Sequence, residues 1–169
     1  MAYVARAAGV SRQAVYLHFP SRASLFMAVV HRMDGEADIR ARCARALDAA
    51  DPIEAFRAFL ITWLRFAATI QPVATMLLAA RNVDPEAWAA WEDRMSELRS
   101  GYRFATRRLA GVGLLRPGLD ARGAADLAWA LTSVPVWEQL TLDRGWSARR
   151  LERHLVDGVI AMVTITRPG

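Results

Sequence analysis

The clearest pattern in the chain is a run in which Trp88, Trp91, Met95, Leu98, Tyr102, Ala105 and Leu109 follow one another at gaps of three and four. Side chains at that spacing share one face of an α-helix. An amphipathic helix opening at Asp84-Pro85 is therefore predicted, with Glu92, Arg94, Glu97, Arg99 and Arg103 off the seam. The segment before it, from Asp51 to about Ile70, is apolar on nearly every side. Ile53, Phe56, Phe59, Leu60, Trp63, Leu64, Phe66 and Ile70 leave one narrow polar stripe of Glu54, Arg57 and Arg65, which marks this helix as central. Asp51 is placed as its cap and Pro52 at its first position, where a missing N–H costs nothing. Pro72 is expected to start a separate short helix from Val73 to Ala80.

Upstream, Leu25, Phe26, Val29, Val30 and Met33 predict one long helix from Arg22 to about Leu47, with Gly35 as the place for a kink. Downstream, the stretch Gly111 to Gly118 reads as the main loop. Asp120 then caps a helix with Leu127, Leu131 and Val134 inward, Pro135 kinks or divides it, and Ser147 caps the last helix. There Leu151, Leu155, Gly158 and Met162 mark one face, and Val156, Val159, Ile160 and Val163 a second. Two apolar faces need two partners, one of which can be another subunit. With no strand alternation anywhere, the fold class is all-α.

The first thirty residues carry a different signal. Gly9 can take the left-handed conformation that ends one helix and redirects the next. Ser11 sits at the N-cap of a short helix from Arg12 to Phe19, whose inner side is Val15 and Phe19 and whose open sides are Arg12, Gln13, Tyr16 and His18. Pro20 stops it, and Ser21 can cap the helix that begins at Arg22. A helix, a glycine turn and a short helix with polar groups at its start form the helix-turn-helix pattern. The segment AYVARAAGVSRQAVYLHFPSRASLF resembles the DNA-binding segment of the TetR family of transcriptional regulators, through the AGVS turn, Tyr16 and Phe19, Pro20-Ser21 and the basic Arg22.

That resemblance implies a homodimeric repressor with residues 1–33 as the DNA-binding region and residues 34–169 as a helical effector-binding and dimerisation domain. Arg12 and Gln13 would reach base edges of a palindromic operator, and Ser11, Tyr16, His18 and Arg22 would resemble the family's phosphate-contacting positions. Phe59, Trp63, Phe66, Met76, Trp88, Trp91 and Tyr102 come from the helices that the family packs around an effector cavity, and a flat, mostly apolar small molecule would suit them. The two C-terminal helices would pair the subunits. The family also places one helix ahead of the segment beginning at Met1, so the expected start lies upstream, and the unit as written is expected to fray. The rival reading is a helical ligand-binding or dimerisation module that has lost DNA binding.

Charge and chemistry change this picture little. Of the 169 residues, 54% are hydrophobic, and the formal charge of +5 is concentrated at one end. Residues 1 to 33 hold Arg6, Arg12, Arg22 and Arg32 with no acid before Asp34, which suits a polyanion met by that end. The chain has no signal-like start and is expected in the cytoplasm. The one cysteine, Cys43, reads as an inert thiol. His18, His31 and His154 lie on different elements without acid, Ser or Cys partners at motif spacing, so neither catalysis, a metal nor another cofactor is expected.

Overall fold

The computed structural model describes residues 1–79 and 81–165. Within its helices the side chains of Arg22, Ala23, Phe26, Val30, Met33, Asp34, Glu36, Ala37, Ala87 and Ala90 lie outside the described set, which takes in part of the predicted Arg22–Leu47 stripe. The described residues form helices α1 (Ala2–Ala7), α2 (Arg12–His18), α3 (Arg22–Ala37), α4 (Ile39–Leu47), α5 (Pro52–Ala79), α6 (Pro85–Gly111), α7 (Ala121–Leu131), α8 (Val134–Glu138) and α9 (Ala148–Val163). A π-helical turn at Gln139–Asp143 joins α8 to the loop before α9, and an isolated antiparallel bridge pairs Leu115 with Thr164.

Helix α5 is the axis of the body. Phe56, Phe59, Leu60, Trp63, Leu64, Phe66, Ala67, Ile70, Val73, Ala74 and Leu77 are all buried along it, and α3, α4, α6, α8 and α9 pack around it. By length and composition it could also cross a bilayer, but half of that stretch is buried inside the protein. Its polar stripe is spent on α9. Arg65 donates two hydrogen bonds of 2.8 Å to Glu152, and Arg57 pairs with Asp157 at 2.5 Å. The seam of α6 is laid against α5 as its spacing predicts: Trp91, Met95, Tyr102, Ala105 and Leu109 are buried. Both glycine-ended helices close in the same way. After α1, Val10 N–H reaches the Ala5 carbonyl and Gly9 N–H that of Arg6. After α6, Leu114 N–H reaches Leu109 and Gly113 N–H reaches Ala110, with Gly9 and Gly113 at φ +66° and +69°.

Four expectations need correction. The helix beginning at Arg22 does not run on to Leu47, and the break is not at Gly35, which is helical. It falls at Asp38, a left-handed residue (φ 47°, ψ 42°) between α3 and α4; aspartate tolerates that region better than most side chains. Pro72 does not start a new helix but lies inside α5. It sits on the solvent side with Ala68, Thr69 and Met76, all exposed, so the carbonyl that loses its donor can be hydrated. On α7 the inward face is Ala124, Ala125 and Ala128, while Leu127 is 41% exposed, because small residues let α7 lie close on α6 and α9. On α9, Leu151 belongs with Val156, Val159, Ile160 and Val163 on the inner face, leaving Leu155 half-buried and Gly158 and Met162 outside.

Thr132, at the end of α7, ties three helices together. Its carbonyl accepts the Trp63 indole N–H at 2.7 Å, and its hydroxyl donates to the Ala128 carbonyl at 2.7 Å. That leaves the hydroxyl oxygen to accept from Tyr102 at 2.5 Å. Burial pushes the Tyr102 phenol well above its ordinary pKa, so it stays a neutral donor. Thr132→Val strands this buried donor and should cost about 1–3 kcal/mol in urea unfolding. Tyr102→Phe removes the donor itself and should cost less, and adding Thr132→Val to it should then cost little further.

Candidate functional site

The N-terminal unit presents its polar groups on one short helix. Ala5 and Val15 are buried where α1 and α2 cross. That crossing turns Arg12, Gln13, Tyr16, Leu17 and His18 outward. Ser11 caps α2, accepting the Ala14 N–H at 3.0 Å, and its own hydroxyl hydrogen is left for an outside acceptor. The Arg12 guanidinium lies 5.6 Å from the centre of the Tyr16 ring, so cation and phenol form one surface. Tyr16 is 40% exposed. Helix α2 ends at His18, one residue earlier than predicted, because the residue before a proline is pushed to extended backbone; Phe19 has φ −132° and ψ 90°. Ser21 and Ser24 then cap α3 reciprocally, each hydroxyl accepting the other's backbone N–H at 3.0 Å. Arg22 opens α3, and its side chain is outside the described set. Leu17, 80% exposed between Tyr16 and His18, was not singled out by the apolar pattern; its exposure is visible only once α2 is seated on α1.

A second site lies in the body. Helices α4, α5 and α6 enclose a cavity of about 430 Å³. Phe59, Trp63, Phe66 and Trp91 line it, together with Ile39, Cys43, Leu47, Ile70, Met95 and Leu98. Three of the expected residues are placed elsewhere. Tyr102 is fully buried in the Thr132 network, edge-on to Phe59 with ring centres 5.0 Å apart. Trp88 is half-buried under Arg81, whose guanidinium is 4.6 Å from its ring centre, and Met76 is exposed on the far side of α5. Trp63 spends its N–H on Thr132 and so offers the cavity its ring.

The cavity owes its shape to Gly101. A Cβ there would stand 2.7 Å from Cε2 and Cζ of Phe59, so the glycine lets that ring lie flush against α6. The polar part of the lining comes from Arg40 of α4 and from Arg94, Glu97 and Ser100 of α6, with Arg40 paired to Glu97 across the two helices. A smaller recess adjoins it, sharing Ile39, Arg40 and Arg94 and adding His31, Gly35 and Asp38 at the α3–α4 break. At the other end of α4, Arg108 donates to the carbonyls of Leu47, Ala49 and Ala50, closing that helix terminus.

A helix-turn-helix joined through α3 to an all-helical body is an architecture of DNA-binding regulators. Residues 1–29 match the bacterial regulatory proteins of the tetR family. Solved structures agree over nearly the whole chain. A bacterial regulatory protein in the tetR family from Rhodococcus RHA1 is 19% identical with a TM-score of 0.76, covering 97% of this chain and 85% of that one. The TetR-family regulator PfmR from Thermus thermophilus is 23% identical with a TM-score of 0.74, covering 95% and 86%. A transcriptional regulator from Saccharomonospora viridis in complex with choline is 20% identical with a TM-score of 0.74, covering 96% and 85%. No curated protein sequence matches the chain. At such identities the structures establish the fold, and residues 1–29 are similar to the DNA-binding segment of the tetR family of bacterial regulatory proteins.

Cys43 offers a chemical reading of how dry the cavity is. Burial pushes its thiol up to about 11, against a smaller opposing effect from Arg42. At pH 8 its alkylation by iodoacetamide should be roughly 100-fold slower than that of an exposed thiol, because the thiolate is the reactive form. Reaction at the rate of a free cysteine would mean that α4 opens freely.

Proposed function

We propose that the chain is a homodimeric cytoplasmic repressor that leaves its operator when a small apolar molecule fills the cavity between α4, α5 and α6. The observation that carries this reading is the joint at Asp38. Helix α4 walls the cavity, α3 begins right after the DNA-reading unit, and a single left-handed residue separates them. A ligand that displaces α4 shifts α3 and with it the spacing of the two recognition helices. The effector must prefer the displaced state, typically by about 1–3 kcal/mol of coupling.

On DNA, α2 enters the major groove. Arg12 and Gln13 read base edges, Ser11, Tyr16, His18 and Arg22 hold phosphates, and the exposed Leu17 suits a thymine methyl group. The dimer forms through α7 and α9, where Leu127 and Met162 stand 41% and 42% exposed on neighbouring helices. A dimer of this kind sets two half-sites about 34–36 Å apart.

Selection from random duplexes should recover a palindrome. Arg22→Ala should weaken binding to every sequence and lower the salt slope by about 1. Gln13→Ala should instead relax the preference at one base position. Met162→Arg should give monomers in sedimentation with much weaker operator binding, since each half-site then binds alone. Ile160 is no test of the interface, because it is buried within its own subunit. An unchanged dimer for Met162→Arg would move the interface off α9.

A further inference from the structure

Three arginines of the body stand together without a carboxylate among the described residues to match them. Arg103 and Arg107, four apart on one face of α6, and Arg122, in the first turn of α7, line a recess of about 450 Å³ between the two helices. All three are exposed, and among the described residues none makes an ion pair, a ring contact or a hydrogen bond from its guanidinium. Arg99, one turn earlier on α6, is engaged by Glu92 at 2.9 Å and by the Trp129 ring, so the unmatched charge begins at Arg103. Two carboxylates flank the recess on α7. Asp120 accepts the Gly123 N–H at 2.7 Å as the cap of α7, and Asp126, one turn beyond Arg122, comes within ion-pair distance of none of the three. The Ala121 carbonyl is taken by the Thr106 hydroxyl at 2.7 Å. What the lining offers is therefore donors.

We propose that this recess is a second ligand site, for the phosphate chain of a compact polyanion such as an inorganic or nucleoside triphosphate. It lies outside the cavity and does not rest on the effector reading. Like charges at i and i+4 on a helix repel, so an anion that bridges Arg103 and Arg107 removes a cost as well as making bonds. A phosphate chain supplies adjacent tetrahedral groups, each able to meet a guanidinium fork with two oxygens, whereas a single carboxylate occupies one fork. The recess is also within the size range of small-ligand sites, about 300–1,000 Å³. Duplex DNA is the wrong partner by position. Arg108, next to Arg107, holds the carbonyls of Leu47, Ala49 and Ala50, so this part of α6 stands at the far end of α4 from the Asp38 joint, with α3 and α4 between it and the DNA-reading unit. A nucleoside adds nothing to the phosphates, since no ring lines the recess among the described residues.

The test is calorimetric titration of the full chain with tripolyphosphate, adenosine triphosphate, orthophosphate and citrate at one physiological ionic strength. Tripolyphosphate should bind at least about tenfold more tightly than orthophosphate or citrate, and the nucleotide should match it without exceeding it. Arg103→Gln, Arg107→Gln and Arg122→Gln should each weaken tripolyphosphate about tenfold. Arg12→Gln and Arg149→Gln, on other basic surfaces, should leave it unchanged. Binding that ignores all three substitutions, that falls equally with Arg12→Gln or Arg149→Gln, or that fails to separate tripolyphosphate from citrate overturns the site. Sedimentation of Arg107→Gln as a monomer where the native chain is a dimer also overturns it, by assigning the recess to a contact with a second copy. None of these outcomes bears on the cavity between α4, α5 and α6.

Discussion

A helix that is apolar on nearly every side has to be covered on nearly every side, and the body of this protein is the solution to that requirement for α5. Its buried residues from Ala55 to Leu77 face α3, α4, α6, α8 and α9 in turn. The cover is tight where small residues or hydrogen bonds close it. Ala124, Ala125 and Ala128 seat α7, Thr132 accepts from Trp63 and Tyr102, and Arg65 grips Glu152 with two bonds. It is incomplete between α4 and α6, where four bulky aromatic side chains converge and cannot fill the space between them. The cavity is thus a consequence of wrapping one helix with rings too large to interdigitate completely, and the same rings give it an apolar wall.

Much of this was legible in the chain because periodicity reports which side of a helix is buried. The α6 seam, the caps at Ser11, Asp120 and Ser147 and the glycine turn at Gly9 were all visible as local patterns. What local patterns do not contain is where neighbouring helices lie. Pro72 reads as a helix start until its solvent-facing position is known. Leu127 reads as core until the alanine face of α7 is seen against α6. Tyr102 reads as cavity lining by its position on the α6 seam, and only the distant Thr132, thirty residues on, draws its hydroxyl elsewhere. Gly101 is the converse case. Nothing in the sequence marks it, and its role follows entirely from a ring on another helix.

The N-terminal unit obeys a different constraint. It is small, and among the described residues of α1 and α2 Ala5 and Val15 are the buried ones. Hydrogen-bonded stops add to that packing: the paired closures after α1, the Ser11 cap, and the reciprocal caps of Ser21 and Ser24. These fix the angle between α1 and α2 and the direction in which α3 leaves, which are the quantities a DNA-reading helix needs. The acid-free sequence up to Asp34 then leaves the surface so oriented uniformly attractive to phosphate.

In the proposed mechanism the signal between the two parts runs through the joint at Asp38, which is weakly held. Asp38 is held in a left-handed conformation that costs an aspartate on the order of 1 kcal/mol, and its side chain makes no capping bond. The ion pairs beside it, Arg45 with Asp38 and Arg40 with Glu97, are both well exposed, and exposed pairs contribute about 0–1 kcal/mol. The far end of α4, by contrast, is held by three carbonyl contacts from Arg108, and α5 is fastened to α9 by the Arg65 and Arg57 pairs. Any ligand that presses on α4 therefore meets a fixed end at Leu47 and a yielding one at Asp38. In the proposed mechanism the yielding end passes the displacement on to α3 and the DNA-reading unit.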